Sequence, residues 1–150
     1  MPATPPASRT PFYAAIAAIL LFMLSLTQDA VTCMDFNGEK TLSSLSVFLT
    51  GAIVVLGGGI AEWLTWMANP LSLITLILVF CRKKAAVYFA YAALVPAFLF
   101  LFWKELLISE NGRMAEITSH NAGYFLWLAS ICVLLYAALK VRTSATLPKN

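Results

Sequence analysis

Residues 45–80, which run into Arg82-Lys83-Lys84, constrain this chain more than any other stretch. They are apolar almost throughout, yet Gly57-Gly58-Gly59, Glu62, Asn69 and Pro70 interrupt them. A bilayer crossing needs roughly 20 apolar residues, so the stretch is too long for one crossing and short for two. Two crossings would also leave Arg82-Lys83-Lys84 on the same side as the acidic segment before the stretch, against the tendency of cations to remain in the cytoplasm. The solution that respects both constraints takes residues 61–81 as the span. Residues 45–60 then form a half-helix that re-enters the bilayer or lies along its outer surface. Gly57-Gly58-Gly59 turns the chain between them, because three successive glycines inside one helix would cost about 1 kcal/mol each.

Three more apolar runs, residues 12–27, 85–103 and 122–139, extend the same pattern. The composition agrees, with 61% hydrophobic and 11% charged residues and a mean hydropathy of +0.83. A soluble domain has about 45–50% and about 25%. The first run carries no Ala-x-Ala-like cleavage site before Cys33, and Thr32 does not suit a lipoprotein site, so it is expected to be retained as a helix. Ala14 and Ala18 would give it a small-residue contact face, and Pro11 fits its first turn. In the third run Ala86, Ala90, Ala93 and Ala97 fall on one helical face suited to close helix contact. Pro96 takes the donor from the carbonyl of Ala92 and is expected to kink that helix. The segments between the runs, residues 28–44 and 104–121, read as polar loops with turn signals at Asn37-Gly38 and Asn111-Gly112.

The expected fold is therefore all-α: an integral membrane bundle of four transmembrane helices plus a re-entrant or interfacial half-helix. Residues 1–10 form a disordered lead-in, 11–140 the helical domain and 141–150 a cytoplasmic tail. Charge supports the orientation. Arg9, Arg82-Lys83-Lys84, Lys140, Arg142 and Lys149 fall inside. Asp29, Asp35, Glu39, Glu105, Glu110 and Glu116 fall outside, with Glu62 at the outer edge and Lys40, Lys104 and Arg113 as exceptions. Both termini are cytoplasmic on this layout. The net charge of +3 is then a topology signal, and no nucleic-acid partner is implied.

Cys33, Cys81 and Cys132 lie at different depths and read as unpaired thiols. No phosphate loop, nucleophile motif, paired metal ligands or heme-attachment motif is present. The expectation is no enzyme, no cofactor, no metal and no catalytic residue. Ligand-binding candidates are Glu62, Trp66, Asn69 and His120. Glu62 is the one carboxylate within a long apolar run, and such residues are functional candidates, although a position at a span end also lets it reach interfacial water. Asn69 can take up the Trp66 carbonyl that Pro70 leaves free or bond across to another helix, and it could equally floor an outward-facing pocket. His120 reads as a surface histidine, since a zinc site would want three or four close ligands. Trp63, Trp66, Trp103 and Trp127 form an outer aromatic belt, and with the polar candidates they would also line such a pocket.

Trp66-Met67-Ala68-Asn69-Pro70-Leu71, leading to Arg82-Lys83-Lys84, resembles a block in small uncharacterised bacterial inner-membrane proteins. Gly123-Tyr124-Phe125-Leu126-Trp127 is similar to the same group. The resemblance implies a four-span protein of the bacterial inner membrane and carries no activity. The leading expectation is a non-catalytic protein working through protein–protein interaction in the bacterial envelope, either a complex subunit or an immunity-type protein. Its partners would be the lipid bilayer and a membrane or periplasmic protein. The alternative is a small transporter or channel component with an outward-facing polar pocket.

Overall fold

The structure, a computed structural model, describes residues 9–36, 38–107 and 114–144. Most of the lead-in, Asn37, the turn at Asn111-Gly112 with Glu110 and Arg113, and Lys149 with the end of the tail lie outside the described residues. In chain order the elements are α1 (Thr10–Leu26), β1 (Asp29–Asp35), β2 (Gly38–Ser43), α2 (Ser44–Gly51), a 3-10 turn (Val54–Gly57), α3 (Ile60–Trp66) and α4 (Ala68–Phe80). There follow α5 (Ala86–Leu99), a 3-10 turn (Phe100–Phe102), β3 (Glu105–Leu107), β4 (Met114–His120) and α6 (Ala122–Ser144).

The first correction concerns class. The two segments expected to be polar loops form a four-stranded antiparallel sheet in the order β2-β1-β4-β3, so the chain is not all-α. The physical reason is alternation. Val31 and Cys33 on β1, Leu106 on β3 and Ala115 on β4 turn to one side and form a buried cluster, with Leu42, Phe100 and Ile117 packed against it. Apolar side chains two apart on one side make a strand out of a segment whose average polarity suggests a loop, and Thr32 between Val31 and Cys33 is buried as well, accepting from the Asn121 side chain at 2.8 Å.

The second correction concerns the spans. Among the described residues two helices are long and apolar enough to cross a membrane: Ile60–Phe80, which joins α3 to α4, and Ala122–Thr143 within α6. Thr10–Leu26 and Ala86–Phe102 are shorter apolar helices. They are cut short by the strands that follow, since β1 and β3 take up residues on which a longer helix would have continued. The four-span bundle with a half-helix is therefore replaced by a helical bundle capped at one end by a sheet. The half-helix itself resolves into α2 and a 3-10 turn. Ser43 caps α2 by accepting from the Ser46 amide at 3.3 Å. Gly58, at φ 91°, then ends the 3-10 turn in the left-handed region, where a side chain would be strained.

Alanines bring the helices together. Ala15 on α1, Val79 on α4, Ala86, Val87 and Ala90 on α5, and Ala137, Ala138 and Val141 on α6 form a buried cluster at the end away from the sheet. Nearer the sheet, Ala68, Ala93, Ala97 and Ile131 make a second. Together the clusters make α1 and α5 antiparallel to α4 and α6. Ala86, Ala90, Ala93 and Ala97 do share one buried face of α5, while α1 buries Ala15 and Ala18. At the far end α4 closes with a Schellman motif: the Lys83 amide bonds the Leu78 carbonyl at 2.8 Å and the Arg82 amide bonds that of Val79 at 3.0 Å. Arg82 occupies the left-handed position of that motif at φ 54°.

Candidate functional site

A cavity of about 160 Å³ lies where the sheet meets the bundle. The end of α1, the 3-10 turn after α5, residues of β1, β2 and β3, α2, α3 and the starts of α4 and α6 wall it. Two glycines make this junction possible. The indole of Trp66 lies against the backbone of α2 where Gly51 has no Cβ, and a Cβ there would overlap the ring. A Cβ on Gly123 would likewise run into the hydroxyl of Ser44 and the carbonyl of Asp29, so α6 starts directly against β1. The Asn121 amide fixes that start with a 2.9 Å bond to the Ala30 carbonyl.

Glu62, Trp66 and Asn69 all line the cavity. Each is bonded inside the protein. A Glu62 oxygen accepts from the Leu107 amide at 3.0 Å, so the carboxylate covers the open edge of β3. Trp66 donates to the Phe48 carbonyl at 2.8 Å and thereby ties α3 to α2. Asn69 does two jobs at once. Its amide nitrogen donates to the Trp66 carbonyl at 3.0 Å, taking the place of the donor that Pro70 lacks, and its oxygen accepts from the indole of Trp127 on α6 at 2.9 Å.

His120 is placed differently. It stands outside the cavity wall, with its Nε2 3.2 Å from the Phe100 carbonyl. Its ring centroid is 5.4 Å from that of Phe100 and 4.9 Å from that of Tyr124, and these two aromatics do line the cavity. Tyr124 in turn donates to the Ala97 carbonyl at 3.0 Å, one of the carbonyls that the end of α5 leaves without a helical donor. The belt of tryptophans is thus partly drawn inward, Trp66 and Trp127 serving as internal donors.

Sequence reasoning missed Phe22, Ser44, Phe48, Phe100 and Tyr124 as wall residues. The signal for Ser44 and Phe48 was the Ser43-x-x-Ser46 cap, which starts a separate helix at the bundle edge. The others carry no local signal, because only the sheet brings them together. Among the described residues no group of three His, Cys, Asp or Glu side chains is placed to hold a metal ion. All three cysteines are free thiols, Cys33 buried and the other two exposed. Burial pushes the Cys33 thiol above its ordinary 9.0, with the Lys40 ammonium acting in the opposite direction. No family model, curated protein or solved structure matches the chain.

Proposed function

We propose that this chain is a protein of the bacterial inner membrane that catalyses nothing and acts by presenting its sheet to a membrane or periplasmic protein. The observation that carries the reading is the segregation of its surface. The outward faces of the helices expose large apolar side chains, among them Leu20, Leu73, Ile77, Val95, Phe98 and Phe125. Patches beyond a few hundred Å² are rare on soluble monomers, and here they run around the bundle. In this reading the two long helices cross the bilayer from the sheet end to the basic end, and the shorter α1 and α5 carry the chain back beside them.

Charge divides the same way along the bundle. Arg9, Arg82, Lys83, Lys84, Lys140 and Arg142 belong to the end away from the sheet. The described carboxylates Asp29, Asp35, Glu39, Glu105 and Glu116 are on strands, with Glu62 just beneath them. Lys40 and Lys104 are the described cations at the sheet end. The positive-inside bias then puts the first and last described residues in the cytoplasm and the sheet outside. The likeness to small bacterial inner-membrane proteins belongs to the same proposal. Transport has less support, because the cavity is largely apolar and Glu62, Trp66 and Asn69 already bond to the protein itself.

Photo-crosslinking residues placed at Met34 and Phe36, both exposed at the sheet end, test this in native membranes. One defined envelope protein should crosslink from these positions and not from Leu73 on the bundle. Crosslinks to lipid alone from all three would sink the proposal.

A further inference from the structure

We infer that, in the membrane setting proposed above, the basic end of the bundle holds the anionic headgroup of a phospholipid where α1 meets the turn between α4 and α5. Geometry comes first. Phe12 in the first turn of α1 and Phe80 in the last turn of α4 meet edge-on, with ring centroids 5.6 Å apart. Both rings stay about half exposed, which in a bilayer turns them toward acyl chains. Arg9 is the N-cap of α1, just under one turn before Phe12, and Arg82 follows Phe80 almost at once. Each ring therefore leads straight to an exposed arginine at the end of its helix. The turn that carries Arg82, Lys83 and Lys84 is fixed on both sides. The Lys83 amide bonds the Leu78 carbonyl as described, and the Lys83 carbonyl accepts from the Ala86 amide at 3.1 Å.

Charge comes second. Every described carboxylate is on a strand or on α3, at the opposite end of the bundle. The cations of the turn are thus left without a carboxylate of this chain among the described residues, directly above an apolar surface. A phospholipid matches both halves, its chains against the rings and its negative headgroup against the cations. Basic pockets between membrane helices on the cytoplasmic side bind anionic headgroups in this way. Arg82 adds an independent observation. It takes the left-handed φ of 54° at a position where helices commonly place glycine. Backbone strain kept at one residue points to a use for its side chain. Glycine would relieve the strain here and lose the charge.

The test uses the full chain in a neutral detergent, with lipid binding read by native mass spectrometry. The probes are phosphatidylglycerol and phosphatidylcholine with identical chains. The first phosphatidylglycerol should bind at least about tenfold tighter, since each Lys or Arg near an anionic lipid surface contributes about fivefold. Arg82→Gly should lower that preference about fivefold. Without added lipid the same variant should unfold at the same temperature or higher, which separates a lost site from a damaged fold. Arg9→Gln should act in the same direction. Lys40→Gln, at the sheet end, should leave the preference within about twofold, less than one such cation contributes. Glycerol 3-phosphate carries the anionic charge without chains and should not displace the lipid. Equal binding of the two lipids, a preference untouched by Arg82→Gly, an equal loss in Lys40→Gln, or displacement by glycerol 3-phosphate overturns the inference. A chain that stays dispersed and folded once the detergent is removed would instead overturn the membrane setting itself.

Discussion

Asn69 shows how much one side chain holds at the residue scale, since its amide serves the Trp66 carbonyl and the Trp127 indole together. Hydrogen bonds between helices in membranes are worth about 0.6 kcal/mol on average and about 1.7 at most. A double-mutant cycle of Asn69→Ala with Trp127→Phe, read by unfolding in mixed micelles, should give a coupling energy of about 0.5–1.7 kcal/mol. Additive effects would mean that the two residues do not meet. Arg82 is the opposite case, a bulky residue where glycine would sit without strain. Arg82→Gly should stabilise the fold by about 0.5–1 kcal/mol, even though it adds backbone freedom to the unfolded chain. Cys33 sets a pH dependence. Its thiol is held above 9.0 by burial, so the unfolded chain ionises first as pH rises. Its contribution to stability is full below pH 9.0 and falls from there up to the folded value. Thermal unfolding of Cys33→Ser against the parent between pH 8 and 10 should show that difference, with slow alkylation of Cys33 relative to the exposed Cys81.

At the scale of elements, β3 depends on α3. Glu62→Ala should speed hydrogen exchange at the Leu107 amide by at least tenfold, whereas Glu62→Gln keeps an acceptor in place and should change it only a few-fold. Equal acceleration by both would mean that charge, and not the bond, holds the strand edge. Gly51→Ala displaces the Trp66 indole and should cost about 1–3 kcal/mol, the range for overpacking. The contrast between helices and strands also explains what could be read beforehand. The alanine face of α5 and the breaks at Gly58 and Pro70 were legible, because each is a local pattern with a local consequence. The sheet was not. Val31 and Cys33 alternate over a few residues only, and their partners Leu106 and Ala115 are more than 70 positions away in the chain. Average polarity outweighed so short a signal. Of the candidate site, Glu62 and Asn69 were found as interruptions of an apolar run, and Trp66 as a member of the outer tryptophan belt. Ser44 and the aromatics became neighbours only when the strands closed over them, which left nothing in their own surroundings to mark them.

For the whole molecule, the separation of carboxylates on the sheet from cations at the opposite end makes orientation a property of a few residues. Replacing Arg82, Lys83 and Lys84 together with glutamate should misorient or destabilise insertion, as read by impermeant maleimide labelling of a cysteine placed at Thr41, exposed on β2. The parent should label from the periplasmic side. Equal labelling of both forms would remove the charge argument for orientation.

The strand order has a consequence for synthesis. β1 pairs with β4, so Val31 waits for His120 and Cys33 for Ile117. Until nearly four-fifths of the chain has left the ribosome, the first hairpin keeps an apolar strand with one open edge, and α1 lacks the helix it packs against. Prematurely terminated or stalled products would therefore display that edge to proteases and chaperones. Pairing with β4 closes that edge, and α6, which follows it, then packs against α1.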